Sequence, residues 1–298
     1  MLPACASEVV PGLYLLPGRN RGRFPYAHSL LVGGSHPVLI DAGCGLDTLT
    51  AVRDQARPEL VIASHSHVDH AAGCWLFSDS RLAVPLQAAD TFGRLDRLSI
   101  RFAEPGALAA IWRDYVQRVT GIRDAVPTET YDDGHVFDLG PITLVAIHTP
   151  GHTVDHTCLW EPSHKLLLSF DIDLTGFGPW YGHPESDIAS FKASIRRVMD
   201  LRPQIIISSH KGVLREALQE QLQRFLDAFD RRDERLLALL HQPRTLDDLV
   251  DAAPIYGSYP YEERILRHWE RTMITKHLSG LLQDGRVNLH DGVYTLGA

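Results

Sequence analysis

Four short apolar runs in this chain end on an acid or a histidine, and that pattern constrains the fold more than any other feature. "PVLIDAG" ends at Asp41, "LVIAS" runs into His65, "KLLLSFDID" ends at Asp171 and "QIIISSH" ends at His210. Such runs read as strands buried inside a molecule. Segments of helical spacing lie among them: "LDTLTAVRDQA", and "SDIASFKASIRRVMDL" with Ser186 or Asp187 as N-cap. Apolar strands alternating with helices predict an α/β layer architecture. Strand-end loops are where such a scaffold presents its chemistry, so the polar termini are expected to converge on one edge.

"SHSHVDHAAG" supplies the densest group, with His65, His67, Asp69 and His70 inside six positions. Clustered imidazoles and carboxylates make poor core and poor helix material. Residues 65 and 67 point to one side of an extended segment, because side chains alternate with period two. Asp69 and His70 then face a second position. Neutral imidazole and carboxylate suit zinc and other borderline divalent ions. One segment cannot close two sites, and His152, Asp171 and His210 are the available further ligands.

Elsewhere, "GLYLLPG" with "HSLLVGG", and "HVFDLGPITLVAIHTPGH", read as hairpins. Leu108, Ile111, Trp112, Tyr115 and Val119 give "GALAAIWRDYVQRV" a helical apolar stripe, read as core. From about residue 214 the chain becomes rich in Arg, Glu and Leu. Helix, helix, long helix, Gly turn and two short strands follow in the order of a winged helix-turn-helix. The expected domains are residues 1–213 and 214–298.

Ordinary globular composition, 44% hydrophobic and 22% charged over 298 residues, allows a sizeable core. A formal net charge of −8 argues against a general binder of nucleic acid or anionic membrane. Cys5, Cys44, Cys74 and Cys158 form no C-x-x-C pair, so free thiols in a reducing compartment are expected. "MLPACAS" lacks the basic and apolar regions of a lipoprotein signal, and no run approaches the ~18 apolar residues of a span. The expectation is a soluble cytoplasmic protein. Arg19, Arg21 and Arg23 are read as a solvated hairpin tip, and His148 and His156 as structural.

With these segments in view, the chain resembles the metallo-β-lactamase superfamily over residues 8–213. Asp41 in "LIDAG", "HSHVDH", His152 in "HTPGHT", Asp171 in "LSFDID" and His210 in "ISSH" match its five-part signature in order. The resemblance implies a four-layer αβ/βα sandwich, here with a small winged-helix-like C-terminal domain. It implies two divalent ions, zinc by default, with manganese or iron as alternatives. His65, His67 and His152 would bind the first ion, Asp69, His70 and His210 the second, and Asp171 would bridge. Asp41 would support the ligands from behind. Phe170 and Ser209 stand where the family usually has Gly. The C-terminal segment and "TPGHTVDHTCLW", with Asp155 and His156, resemble a subfamily that includes polyketide-pathway thioesterases and a single-strand endoribonuclease.

The expected activity is binuclear metal-dependent hydrolysis of a thioester, ester or lactone by metal-bound hydroxide, with a small-molecule acyl substrate. Asp69 and Asp171 would act at the metals. Asp69, Tyr181 and His183 are the candidate proton donors to a leaving group, the last two from "GFGPWYGHPE". A phosphodiesterase or endoribonuclease is the alternative. It ranks lower because residues 215–298 carry 11 Lys and Arg against 14 Asp and Glu, not a basic groove. An exported β-lactamase ranks lower still for want of a signal peptide. No membrane partner is expected, and the C-terminal module makes a homodimer plausible.

Overall fold

The computed structural model describes residues 2–297; Met1 and Ala298, which close the two expected domains, lie outside the described residues. The first sheet has seven strands: β1 (Ser7–Val10), β2 (Leu13–Leu16), β3 (Ser29–Val32), β4 (Val38–Ile40), β5 (Leu60–Ile62), β6 (Arg81–Pro85) and β7 (Glu129–Tyr131), in sequence order. The second has six: β8 (Val136–Asp138), β9 (Thr143–His148), β10 (Thr157–Glu161), β11 (Leu166–Phe170), β12 (Ile205–Ser208) and β13 (Gly212–Leu214), in the order β13-β12-β11-β10-β9-β8.

The apolar runs are buried on both faces, and their period-two alternation builds the layers. Val38, Ile40, Leu60 and Ile62 face the second sheet and meet Leu166, Leu168, Ile205 and Ile207. Leu39 and Val61 face outward onto Leu49 and Val52 of α1 (Leu46–Gln55). On the far side Leu167 and Ile206 pack against Phe191, Ile195 and Val198 of α5 (Ile188–Asp200). This is the α/β four-layer sandwich. Asp187, not Ser186, caps α5: its carboxylate accepts from Ser190 N at 2.7 Å.

The connections that follow β5 and β6 carry α2 (Val68–Ala71), α3 (Leu95–Ala103) and α4 (Ala107–Thr120). The parallel pairs β4–β5 and β11–β12 place Asp41, His65, Asp171 and His210 just past their C-terminal ends. Gly43 is required there, because a Cβ would sit 1.6 Å from the Asp69 carbonyl oxygen.

The C-terminal elements are α6 (Leu218–Leu226), α7 (Ala228–Leu239), β14 (Arg244–Thr245), α8 (Leu246–Asp251), α9 (Glu263–Gln283), β15 (Val287–His290) and β16 (Val293–Leu296). Four helices stand where three were expected, because the first stretch breaks at Asp227 into α6 and α7. β14 joins the two expected strands in a three-stranded sheet. They share one apolar core with α5: Phe225, Phe229, Leu236, Met273 and Leu278 pack in the same cluster as Phe191 and Ile195. Ile265, Leu266 and Trp269 of α9 pack instead with Trp112 and Tyr115 of α4. The segment after residue 214 is therefore built into the body of the molecule and reaches the loops at the ligand-bearing edge.

Candidate metal centre

Five segments meet at that edge. Asp171 lies at their centre, with its two carboxylate oxygens turned to different partners. Oδ2 is 3.1 Å from His152 Nε2, 3.8 Å from His65 Nε2 and 3.9 Å from His67 Nδ1. Oδ1 is 2.9 Å from His70 Nε2 and 3.5 Å from His210 Nε2, and His210 Nε2 is also 3.5 Å from Asp69 Oδ2. Two groups, His65–His67–His152–Asp171 and Asp69–His70–His210, each hold their ligand-type atoms within 4.8 Å of one another. An ideal tetrahedral cage around zinc has edges of about 3.4 Å, given metal–ligand bonds near 2.1 Å. The observed separations scatter around that length.

The hydrogen bonds behind the imidazoles settle which nitrogen faces inward. In His65, His70, His152 and His210 the outer nitrogen meets a group that accepts, so it carries the proton and leaves the inner nitrogen as a lone pair. The outer Nε2 of His67 has no such partner. His152 Nδ1 donates to the Trp180 carbonyl at 2.8 Å, and His210 Nδ1 donates to the Gly22 carbonyl at 2.6 Å. His70 Nδ1 donates to Asp41 Oδ2 at 2.6 Å. Ser64 spends its hydroxyl proton on Asp41 Oδ2, so its oxygen accepts from His65 Nδ1 at 2.9 Å. Ser64 N also donates to Asp41 Oδ1 at 2.7 Å. Four lone pairs thus point at a common space, which is the donor arrangement a cation needs.

The same space is where buried polar atoms go unmatched. His65 Nε2, His70 Nε2 and Asp171 Oδ1 are sealed from solvent and lack a hydrogen bond of acceptable geometry. His152 Nε2 and His67 Nδ1 face each other at 2.8 Å. Such groups are costly unless something satisfies them. The electrostatics of the space draw positive charge into it. Burial, then His70, holds His65 well below its ordinary value, and burial with His152 lowers His67 to about 4. Burial opposes charge on His70 and His210, yet Asp171 outweighs it, lifting His70 well up and His210 to about 10. Burial likewise resists charge on Asp171, but His70 and His210 win and hold it well below the usual carboxylate range. The cluster calls for positive charge. The residues fit divalent cations.

Residues without a direct place in the cluster hold it together. His156, read from sequence as structural, accepts the Asp171 backbone N–H on Nε2 at 3.2 Å. Arg101 of α3 spans three loops: bidentate to Glu185 at 2.6 and 2.7 Å, to Asp155 Oδ1 at 2.6 Å, and to Ser66 Oγ at 3.0 Å. Ser66 in turn donates to Asp155 Oδ2 at 2.5 Å, so the His65–His67 segment and the His152 loop are tied together. The "TVDH" stretch signalled Asp155; no motif marked Arg101.

A cavity of about 560 Å³ opens on the cluster, reaching His67, Asp69, His152, Asp171 and His210. His183 lines it, stacked on Phe102 at 4.1 Å, with Nδ1 donating to the Phe102 carbonyl. Burial and the neighbouring His67 hold it neutral, which makes it a poor base and leaves it no imidazolium proton to give a leaving group. The structure does not bring Tyr181 to the cavity. Its hydroxyl donates to His277 Nε2 at 2.6 Å, because His277 Nδ1 is committed to Asp233, and accepts from Arg232 at 2.8 Å. Tyr181 is a wholly buried core residue. A cavity carboxyl that the sequence reading passed over is Asp173, which burial pushes up to about 6. Arg23, expected at a solvated tip, lines the cavity with Lys211, while Arg19 pairs with Asp47 at the surface.

A layered sandwich with this five-segment cluster at its strand ends defines the class, and residues 22–210, more than half the chain, match the metallo-beta-lactamase superfamily. The chain belongs to that superfamily. It is similar to "Acyl-coenzyme A thioesterase MBLAC2" of Bos taurus, 31% identical over 197 residues, covering 58% of this chain and 66% of that relative. The alignment thus spans a little under two thirds of that relative's length. It is also similar to "Atrochrysone carboxyl ACP thioesterase" of Claviceps purpurea, 26% identical over 266 residues, covering 84% of this chain and 74% of that one. Among solved structures, a metallo-beta-lactamase family protein from Thermus thermophilus has a TM-score of 0.73. It is 20% identical, covering 97% of this chain and 100% of that one. That last match establishes the fold along the chain, C-terminal elements included. No helix among the described residues is long and apolar enough to cross a membrane.

Proposed function

We propose that the chain is a binuclear metal-dependent hydrolase that cleaves acyl thioesters. His65, His67 and His152 would hold one ion and Asp69, His70 and His210 the other, with Asp171 shared between them. A divalent pair there supplies Lewis acidity and a water acidified enough to furnish hydroxide near neutral pH. The protein's own part is to fix the ligand tautomers through Asp41, Ser64, Trp180 and Gly22, and to present a sheltered apolar cavity to the acyl group. A thiolate leaves without a proton, which suits a site where Tyr181 is turned away and His183 is held neutral.

The observation that carries this reading is the character of the cavity. Its lining sets two cations, Arg23 and Lys211, against the carboxylates of Asp69, Asp171 and Asp173, and the remainder is dominated by apolar and aromatic side chains. That suits an acyl group. A phosphodiester strand needs a basic groove to track its backbone, which disfavours the nuclease alternative. The relatives' names support the same class. Zinc is the proposed metal, with manganese or iron also compatible with the mixed nitrogen and oxygen donors.

Thiol release from a panel of acyl thioesters tests the reading, with metal-loaded protein set against a chelated control. Metal-dependent release of at least about a hundredfold over the control is expected for some member of the panel. No release from fully metal-loaded protein overturns it.

A further inference from the structure

Much of the cavity wall is built from aromatic rings, and Trp180 stands beside the first ligand group. Eight of its 23 lining residues are Phe, Tyr or Trp, in a chain where these types make up 8%. The rings come from five places along the sequence. Phe24 belongs to the loop between β2 and β3, Tyr115 to α4, and Trp180, Tyr256 and Trp269 to the loop after β11, the approach to α9 and α9 itself.

These rings are held in place before any ligand arrives. Trp180 Nε1 donates to the Tyr256 hydroxyl at 2.7 Å, and the Trp180 ring meets Trp269 edge-on at 5.2 Å. Glu270 of α9 accepts from Ile255 N and Tyr256 N at 2.8 and 3.1 Å, fixing the segment that carries Tyr256. Phe24 and Tyr115 face each other at 6.3 Å on another part of the lining. Three of the cavity's aromatics lie at its exposed margin: Phe24 is 38% exposed, Phe177 39% and Tyr261 57%. Rings already ordered lose little freedom when a ligand settles among them.

The wall is also tied to the metal ligands. The Trp180 carbonyl that orients His152 belongs to the residue whose ring forms the wall, and that ring lies 5.5 Å from His67. A carbonyl placed at the first ligand group therefore has its substituent directed along aromatic faces and edges. Planar π systems gain from offset and edge-to-face contact beyond the area they bury, whereas a linear alkyl chain gains only the area.

We infer that this chamber selects an aryl-bearing, planar acyl group over a linear aliphatic one. The inference rests on the thioesterase reading and deepens it by naming the acyl class.

The test compares thioesters of one thiol that match in carbon number and in the methylene next to the carbonyl: phenylacetyl with octanoyl, and 2-naphthylacetyl with dodecanoyl. Ring contacts of the usual strength predict kcat/KM about threefold to tenfold higher for each aryl member. Phe24→Ala and Tyr261→Ala, at the exposed margin where folding is not at stake, should each lower the aryl-to-alkyl ratio. Clear turnover with equal or reversed preference overturns the chamber inference and leaves the thioesterase reading standing. No turnover of any thioester overturns that reading. Tryptophan fluorescence titration with the matching non-hydrolysable thioethers then decides the chamber: tighter aryl binding supports it, and equal or weaker binding overturns it.

Discussion

Asp41 Oδ2 accepts the Nδ1 proton of His70 at 2.6 Å, in a pair wholly sealed from solvent. The same carboxylate holds Ser64 through its hydroxyl and backbone N–H, and Ser64 holds His65. One acid that touches no reacting atom thereby sets the tautomer of a histidine in each ligand group.

Asp41→Asn tests that role with little disturbance of the backbone. Asp41 has φ +55°, a left-handed conformation that Asn tolerates better than most residues. An amide N–H turned toward His70 Nδ1 would force the proton onto Nε2 and remove the inward lone pair. Divalent metal affinity should fall about 10–100-fold, read by competition with a chelating dye, while the melting transition of the metal-free protein stays cooperative.

Acid stability should depend on the Asp155–Arg101 pair. Burial alone would raise Asp155, but Arg101 overcomes it and lowers the carboxyl from 3.8 to about 2. A depressed carboxyl stabilises the fold fully above its unfolded value and loses that contribution as pH falls from about 4 toward 2. The loss is on the order of 2 kcal/mol. Asp155→Asn should flatten this part of the stability curve, followed by urea melts between pH 5 and 2.5. An unchanged slope would remove Asp155 from the account.

Tyr181→Phe separates core from catalysis. Losing the hydroxyl strands His277 Nε2 and removes one of the three bonds Arg232 makes, at about 1–3 kcal/mol of stability. Turnover of the best thioester should stay within about twofold. A large fall in kcat with unchanged stability would return Tyr181 to the reaction.

Arg23→Ala probes the cavity cation. Its guanidinium has no hydrogen-bond or ion-pair partner among the described residues, though it lines the cavity. For thioesters of a phosphate-bearing thiol, KM should rise about threefold to tenfold, and added salt should shrink the difference. The ratio of KM between such a thiol and a neutral one is the readout.

The apolar runs were the most legible part of the chain. Burial on both faces gave β4, β5, β11 and β12 their continuous hydrophobic stretches, and the polar residues just past their ends include three of the candidate ligands, His65, Asp171 and His210. Short strands without such a run, β7 and β13, escaped notice because pairing rather than composition makes them strands, and the apolar run at residues 82–84 of β6 went unread. Leu95, Leu98 and Phe102 carried a helical signal for α3 that went unread, and with it Arg101. Tyr181 and His183 are two residues apart in one loop, yet one faces the core and the other the cavity. That division depends on Asp233, Arg232 and His277, far along the chain. Phe170 stands at φ +47°, which explains why Gly suits that position, at a backbone cost of about 1–2 kcal/mol for any other residue. Its ring is buried, 6.5 Å from that of His70.

The central claim is that Asp171 is shared between two cation positions. Metal content per chain, measured after complete removal and reloading, tests it most directly when the natural chain is set beside Asp171→Ala. The account predicts two ions per chain in the natural protein, fewer than one in the variant, and thioester hydrolysis lost in step. One ion per chain in the natural protein, or two retained by Asp171→Ala with activity intact, would contradict it.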